Sequence, residues 1–182
     1  DDPDQSQLYS VGVVAKIRQV LKLPGDSLRV LVEGIYRARL DTISQTEPFL
    51  LCVSRECPEI RITNTVRREA MVRECRARFE GYAALTSKMA PDVLMGVAAA
   101  AEPGYLADYI ASNTSLPVEE KQEILGTISV EKRMEKLLVL LERESSVLEV
   151  ERDIQEQVHE QIDRNQKEYY LREQMKVIRT EL

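Results

Sequence analysis

The chain has 182 residues, 25 basic and 31 acidic side chains, a formal net charge of −6 and 43% hydrophobic residues. That length suits one domain, or a small domain with an extended appendage, and the charge excludes a strongly basic nucleic-acid binder as the default, because no cationic excess can displace counterions from phosphate. The longest apolar run, Val93 to Ala101, falls far short of the roughly 20 residues a membrane span needs, and seven glycines with a single histidine argue against most glycine-rich phosphate loops and histidine-based centres.

Asp1 to Gln7 is a polar, acidic lead-in of the kind found in exposed loops. From about Leu8 to Arg61 the pattern is that of strands. Tyr9, Val11, Val13, Ala15 and Ile17 alternate with smaller or polar residues, which suits a half-buried strand. Pro24-Gly25-Asp26-Ser27 supplies a turn, and Leu28, Val30 and Val32 resume the alternation, so Leu8 to Leu40 is expected to be a long hairpin. Gly34 inside the second strand marks a bulge or bend. Pro48 to Val53 is a third apolar run, and Ile60 with Ile62 suggests a fourth strand. Such a sheet has one apolar face and no cover within its own residues, so a partner sheet is expected upstream.

Thr63-Asn64-Thr65 offers good helix N-caps. Met71, Cys75, Phe79, Tyr82, Leu85 and Met89 then recur at spacings of three and four, the apolar stripe of an amphipathic helix ending before Pro91. Asp92 to Ala101 forms a second, very apolar helix, broken by Glu102-Pro103-Gly104. Tyr105 to Ala111 and Pro117 to Leu125 form two more, with Pro117 at a first helical position and Glu119 and Glu120 near the positive end of the dipole. From Ser129, a plausible N-cap, no proline or glycine interrupts the chain to Leu182. Met134, Leu137, Leu138, Leu140 and Leu141 should pack on the bundle. Further on, Ile154, Val158 and Ile162 form a stripe one residue wide, helped by the pairs Glu160–Arg164, Asp163–Lys167 and Glu168–Arg172. Such a stretch is expected to project into solvent and lean on another chain or another copy. The last helical pattern runs into Thr180-Glu181-Leu182 without a stop signal, which suggests a piece of a larger protein cut at both ends. The expected fold is α+β: a β-rich domain over 1–62, a helical bundle over 63–127 and a long helix over 128–182.

No residue of the chain stands out as catalytic, cofactor-binding or metal-ligating. Cys52, Cys57 and Cys75 fit neither a CxxC pair nor a zinc half-site, and read as free thiols of a reducing compartment, which favours the cytoplasm. His159 lies among Glu156, Glu160 and Asp163 on the polar middle of the long helix and reads as a solvated side chain. Arg67, Arg68, Arg73, Arg76 and Arg78 spread around the first helix between Glu69, Glu74 and Glu80, so they read as an ordinary solvated surface rather than a DNA-binding face. Ser10, Ser87, Ser112 and Ser129 stand near no histidine in any motif. Met71, Met89, Met95, Met134 and Met175 read as packing residues, with a soft substrate-binding surface as the sharper alternative. Tyr169 and Tyr170 point about 100° apart, the turn per residue of an α-helix, so at least one should contact another part of the protein.

Asn165-Gln166-Lys167-Glu168-Tyr169-Tyr170-Leu171-Arg172-Glu173-Gln174-Met175-Lys176-Val177-Ile178 closely resembles the segment that precedes the ATPase module of Lon proteases. Val11-Gly12-Val13-Val14-Ala15-Lys16-Ile17, Leu21-Lys22-Leu23-Pro24 and Arg29-Val30-Leu31-Val32-Glu33-Gly34 resemble the family's N-terminal β-domain, as do Leu106-Ala107-Asp108 and Glu120-Lys121-Gln122 the helical part that follows. The resemblance implies a PUA-like β-domain, incomplete here, in an ATP-dependent serine protease that assembles as a homo-hexamer and degrades misfolded and short-lived regulatory proteins. ATP and Mg belong to that larger protein. No GxxxxGK[ST] loop occurs in this chain, and none of the family's catalytic or nucleotide-binding positions maps onto it. The implied role is to engage unfolded substrates and support assembly. The other readings are a free-standing adaptor with the long helix as a coiled-coil spacer and, with least support, a DNA-binding module.

Overall fold

The computed structural model describes residues 4–25, 27–86 and 89–182; Asp1 to Pro3, Asp26 and Ser87 of the readings above lie outside the described residues. Strands β1 (Val11–Lys22), β2 (Leu28–Gln45) and β3 (Leu51–Glu56) form an antiparallel sheet in the order β1-β2-β3. Helices α1 (Thr65–Leu85), α2 (Pro91–Ala99), α3 (Pro103–Ser112), α4 (Val118–Gly126) and α5 (Val130–Glu181) follow.

The long hairpin forms as its alternation requires. Its turn is closed by the Leu23 N–H donating to the Ser27 carbonyl at 2.8 Å. Gly25 supplies φ +82° there, a conformation side chains with a Cβ rarely adopt. The bulge expected at Gly34 falls beside it: Val14 pairs with Tyr36 and Ala15 with Gly34, leaving Ile35 as the extra residue. A second bulge leaves Arg18 extra on β1. The lead-in is not loose where it is described. Gln5–Gln7 form a 3-10 turn, and the Gln5 side chain bonds the backbone of Asp41 and Ile43 on β2.

The fourth strand does not form. Ile60 makes only an isolated parallel bridge to Ser129, and Ile62 is buried in the helical core. Its side chain is worth more against the helices than in a ladder with no adjacent strand. The half-buried character of β1 is also corrected: Val11 is buried, but Val13, Ile17 and Val20 are exposed, because no second layer lies over them among the described residues.

Asn64 caps α1, its side chain accepting from the Arg67 N–H at 3.0 Å. Met71, Cys75, Phe79 and Tyr82 are buried as their spacing requires. The helix stops at Leu85, so Met89 reaches the core from the following loop rather than from the helix. Pro117 is the N-cap of α4 and not its first helical residue. The Gly96 backbone of α2 lies against the Tyr109 ring of α3 so closely that a Cβ would overlap the phenol. Ile124 of α4 and Val130, Met134, Leu137 and Leu141 of α5 complete the core.

Helix α5 starts at Ser129, whose side chain accepts from the Lys132 N–H, and its 52 residues span about 78 Å. Leu148 is the last of its apolar side chains to touch the core. Beyond it Ile154, Val158 and Ile162 are exposed, as the thin stripe requires, and so are Met175 and Ile178. Tyr169 and Tyr170 are exposed as well, and the contact expected of one of them with another part of the protein is not made among the described residues. Of the three expected pairs only Glu168–Arg172 forms, at 2.5 Å. Glu160–Arg164 and Asp163–Lys167 do not, since exposed pairs gain too little to hold two long side chains in one geometry.

Candidate protein-binding surface

The register of the hairpin sorts its side chains into two faces. Val13, Ile17 and Val20 of β1 share a face with Gly34, Val32 and Val30 of β2, Ile17 lying across from Val32 and Val20 across from Val30. Ile17 is 63% exposed and Val32 56%. The opposite face carries Leu21, Leu31 and Tyr36, also exposed. Phe49 and Leu50, in the β2–β3 connection beyond the other end of β2, are exposed as well. Singly exposed aliphatics are ordinary, but contiguous rows of them mark an interaction surface.

At its base the Ile17–Val32 face runs under the helices. There β1 packs on α4, and Gln122 Nε2 donates to the Val11 carbonyl at 2.7 Å. A groove of about 380 Å³ opens between sheet and helices, lined by Val13, Tyr36, Arg37, Tyr105, Asp108 and Ile124 among others. Tyr105 stacks on Tyr109 behind it, with ring centroids 5.8 Å apart. Apolar walls with a few convergent polar groups can hold side chains of an extended peptide. Each aliphatic side chain that such a segment covers contributes about 1–2 kcal/mol before ordering costs, so capture would be weak and repeatable.

Behind the groove lies a cluster of charges from four segments. Arg37 of β2 donates from Nη1 to Glu59 Oε1 at 2.8 Å, from Nη2 to Asp108 Oδ1 at 2.5 Å and from Nε to the Leu125 carbonyl at 3.0 Å. Arg133 of α5, fully buried, donates from Nη1 to the same Glu59 oxygen at 2.6 Å and lies 3.4 Å from Asp108. Its Nε donates to the Thr127 carbonyl. The two guanidinium groups and two carboxylates balance, which is the condition for keeping charge out of water.

Sequence reading missed this cluster. Its members are scattered over some hundred positions, and no spacing joins them. One signal was available. Arg133 falls on the stripe Val130, Met134, Leu137, Leu141, and Asp108 stands between Leu106-Ala107 and Ile110-Ala111, so both charges interrupt buried faces.

The other singled-out residues are dispersed. His159 is exposed, and no cluster of three or more metal-ligating side chains occurs among the described residues. Arg67 pairs with Glu131 and Glu135, and Arg78 with Glu74 and Glu142, so two of the α1 arginines bridge to α5 instead of standing free in solvent. Arg73 pairs with Glu69, and Arg76 donates to the Ala100 carbonyl at 2.8 Å. Cys52 is exposed, Cys57 half-buried and Cys75 buried, all three as free thiols; burial pushes the Cys75 thiol up to about 12. Met71 and Met134 are core residues, whereas Met95 and Met175 are exposed on different helices and form no common surface. No described helix is long and apolar enough to cross a membrane.

Residues 1–143 match the sequence model of the ATP-dependent protease La (LON) substrate-binding domain. The chain is 45% identical over 183 residues to the Lon protease of Brevibacillus choshinensis, covering all of this chain and 23% of that protein. It is 42% identical over 182 residues to the Lon protease of Syntrophomonas wolfei, again over its whole length and 22% of the relative's. The chain thus spans less than a quarter of these relatives. Among solved structures it resembles the N-terminal domain of the Mycobacterium avium complex Lon protease, with a TM-score of 0.62 and 26% identity, over 79% of this chain and 74% of that one.

Proposed function

The chain belongs to the Lon protease family as a substrate-binding domain, and from that membership we propose that its hairpin captures unfolded segments of misfolded and short-lived regulatory proteins for an ATP-dependent serine endopeptidase. The observation that carries this reading is the apolar hairpin face, open among the described residues and continuous with the groove at its base. Extended, unfolded chain is the natural ligand of such a face: it offers alternating side chains and no tertiary structure of its own to lose.

In this proposal ATP and Mg are bound, and peptide bonds cleaved, in the parts of the protein outside residues 1–182. This chain has no GxxxxGK[ST] loop and, among its described residues, no carboxylate cluster suited to a metal. In this reading the chain supplies binding and placement. The rod beyond Leu148 holds the capture surface away from the catalytic parts. Its stripe of Ile154, Val158 and Ile162 is the surface through which copies support one another in a cytoplasmic homo-hexamer. No observation favours the free-standing adaptor, and Arg67, Arg73 and Arg78 of α1 each pair with glutamates, which leaves less free charge there for DNA.

The test is a titration of a fluorescent, permanently denatured protein with this chain. Saturable binding of about micromolar strength is expected, equivalent to roughly 8 kcal/mol. Replacing Ile17 and Val32 together by serine should weaken it about tenfold or more, since two covered aliphatics are lost. A titration without saturation, or one indifferent to both replacements, removes the hairpin from the capture role. The purified chain is expected to hydrolyse neither ATP nor a denatured protein.

A further inference from the structure

The sheet and the helices are joined covalently only through residues 57–64. Among the described residues the sheet contributes two buried apolar side chains, Val11 and Ala38, and β1 against α4 is its one substantial packing contact with a helix. So small an apolar interface sets no unique angle between two bodies, because non-directional burial changes little when they rock. Directional contacts must set it, and they converge on one side chain. The Arg37 side chain is 9% exposed. Its three nitrogens go to three separate places: Nε to α4 at Leu125, Nη1 to the linker at Glu59 and Nη2 to α3 at Asp108. The Arg37 carbonyl also accepts from the Cys57 N–H at 2.9 Å, where the linker leaves the sheet. Both carboxylates are held from the far side by Arg133 at the root of α5. A planar, forked donor fixes direction as well as distance.

We propose that Arg37 is a positioning residue, which through Glu59 and Asp108 fastens the sheet in one orientation over α3, α4 and the root of the α5 rod. Its purpose rests on the capture reading: a segment held on the hairpin is presented along one direction relative to the rod instead of sweeping a cone. The fastening is polar and lies at the groove, so it is separable from the apolar core that keeps the helices folded.

Pulsed electron-spin distance measurements test this. Exposed Cys52 on β3 carries one label and Gln155→Cys on the exposed rod the other. Cys57→Ser removes the competing thiol, and buried Cys75 stays unlabelled. The otherwise unaltered chain should give one narrow distance distribution. Arg37→Gln should widen it at least about twofold, because only the linker and the β1–α4 contact then hold the angle. Arg37→Lys, which keeps a charge but loses the fork, should give a width between the two. Unchanged widths in both variants, with helix content retained, overturn the proposal. Should Arg37→Gln fail to fold, Asp108→Asn reads the same joint while leaving Arg133 on Glu59. The denatured-protein titration on the same samples separates the two ideas. Binding with indifferent distances removes the fastening alone, and responsive distances without binding remove capture alone.

Discussion

The helices between Thr65 and Leu148 hide Phe79, Leu106, Ile110, Met134, Leu137 and Leu141 completely, whereas the sheet between Val11 and Glu56 leaves Ile17, Val20, Val30 and Val32 in water. Both regions are comparably rich in aliphatics, and both show the period of their secondary structure. The difference is that each helical stripe faces another stripe of the same chain, while the hairpin faces have only α4 at their base. An apolar face that finds cover within its own chain becomes core. One left open among the described residues is available to whatever else meets it, another part of the protein or a ligand. The charges follow the same division: the cluster of Arg37, Glu59, Asp108 and Arg133 stands where the covered and uncovered regions meet.

The largest test of this contrast is Phe79→Ala. Truncating a fully buried ring should cost about 3–5 kcal/mol in denaturant unfolding followed by helix content, and a loss below about 1 kcal/mol would mean that the helices are not the stable half. Arg133→Ala comes next, at about 3 kcal/mol, because Glu59 and Asp108 are left partly buried with one guanidinium between them. Asn64→Ala, which removes the α1 cap, should cost about 1 kcal/mol in the same assay. Ile17→Ser or Val30→Ser, on the open face, should stay within about 0.5 kcal/mol; a loss comparable to that of Phe79→Ala would show that the face is covered after all.

The smallest effect is one of pH. Hydrogen bonds from Arg55 hold the Asp41 carboxyl below the usual carboxylate range, and those from Arg143 do the same for Glu120. A depressed carboxyl stabilises the fold above its unfolded pKa, and the contribution fades as pH falls through the lowered folded value. Both groups are at the surface, so the decline should be slight. It should become flatter still in Asp41→Asn/Glu120→Gln when unfolding midpoints are followed from neutral to acid pH.

The elements themselves were legible from local pattern. The hairpin, the bulge at Gly34, the α1 cap at Asn64 and the uninterrupted run from Ser129 each follow from a few neighbouring residues. Errors arose where distant segments decided. Ile60 and Ile62 carry a β-like alternation, yet the helices claim Ile62 because a buried site is near. Met89 keeps the helical spacing but arrives from a loop. The pairs Glu160–Arg164 and Asp163–Lys167 have the right separation and still do not form, since solvent competes equally for both partners.

The chain's own order of residues therefore determined which segments are strands and helices, which faces are apolar and, through the tyrosine-pair block and the hairpin motifs, which family it resembles. Those properties depend on contacts within a few residues or on motifs that are contiguous. Only the tertiary structure decided that the helical stripes close on one another while the hairpin stays open, and that Arg37, Glu59, Asp108 and Arg133 meet. The meeting of four charges brought by a strand, a linker and two helices depends on how those elements are folded together, and no local spacing encodes it.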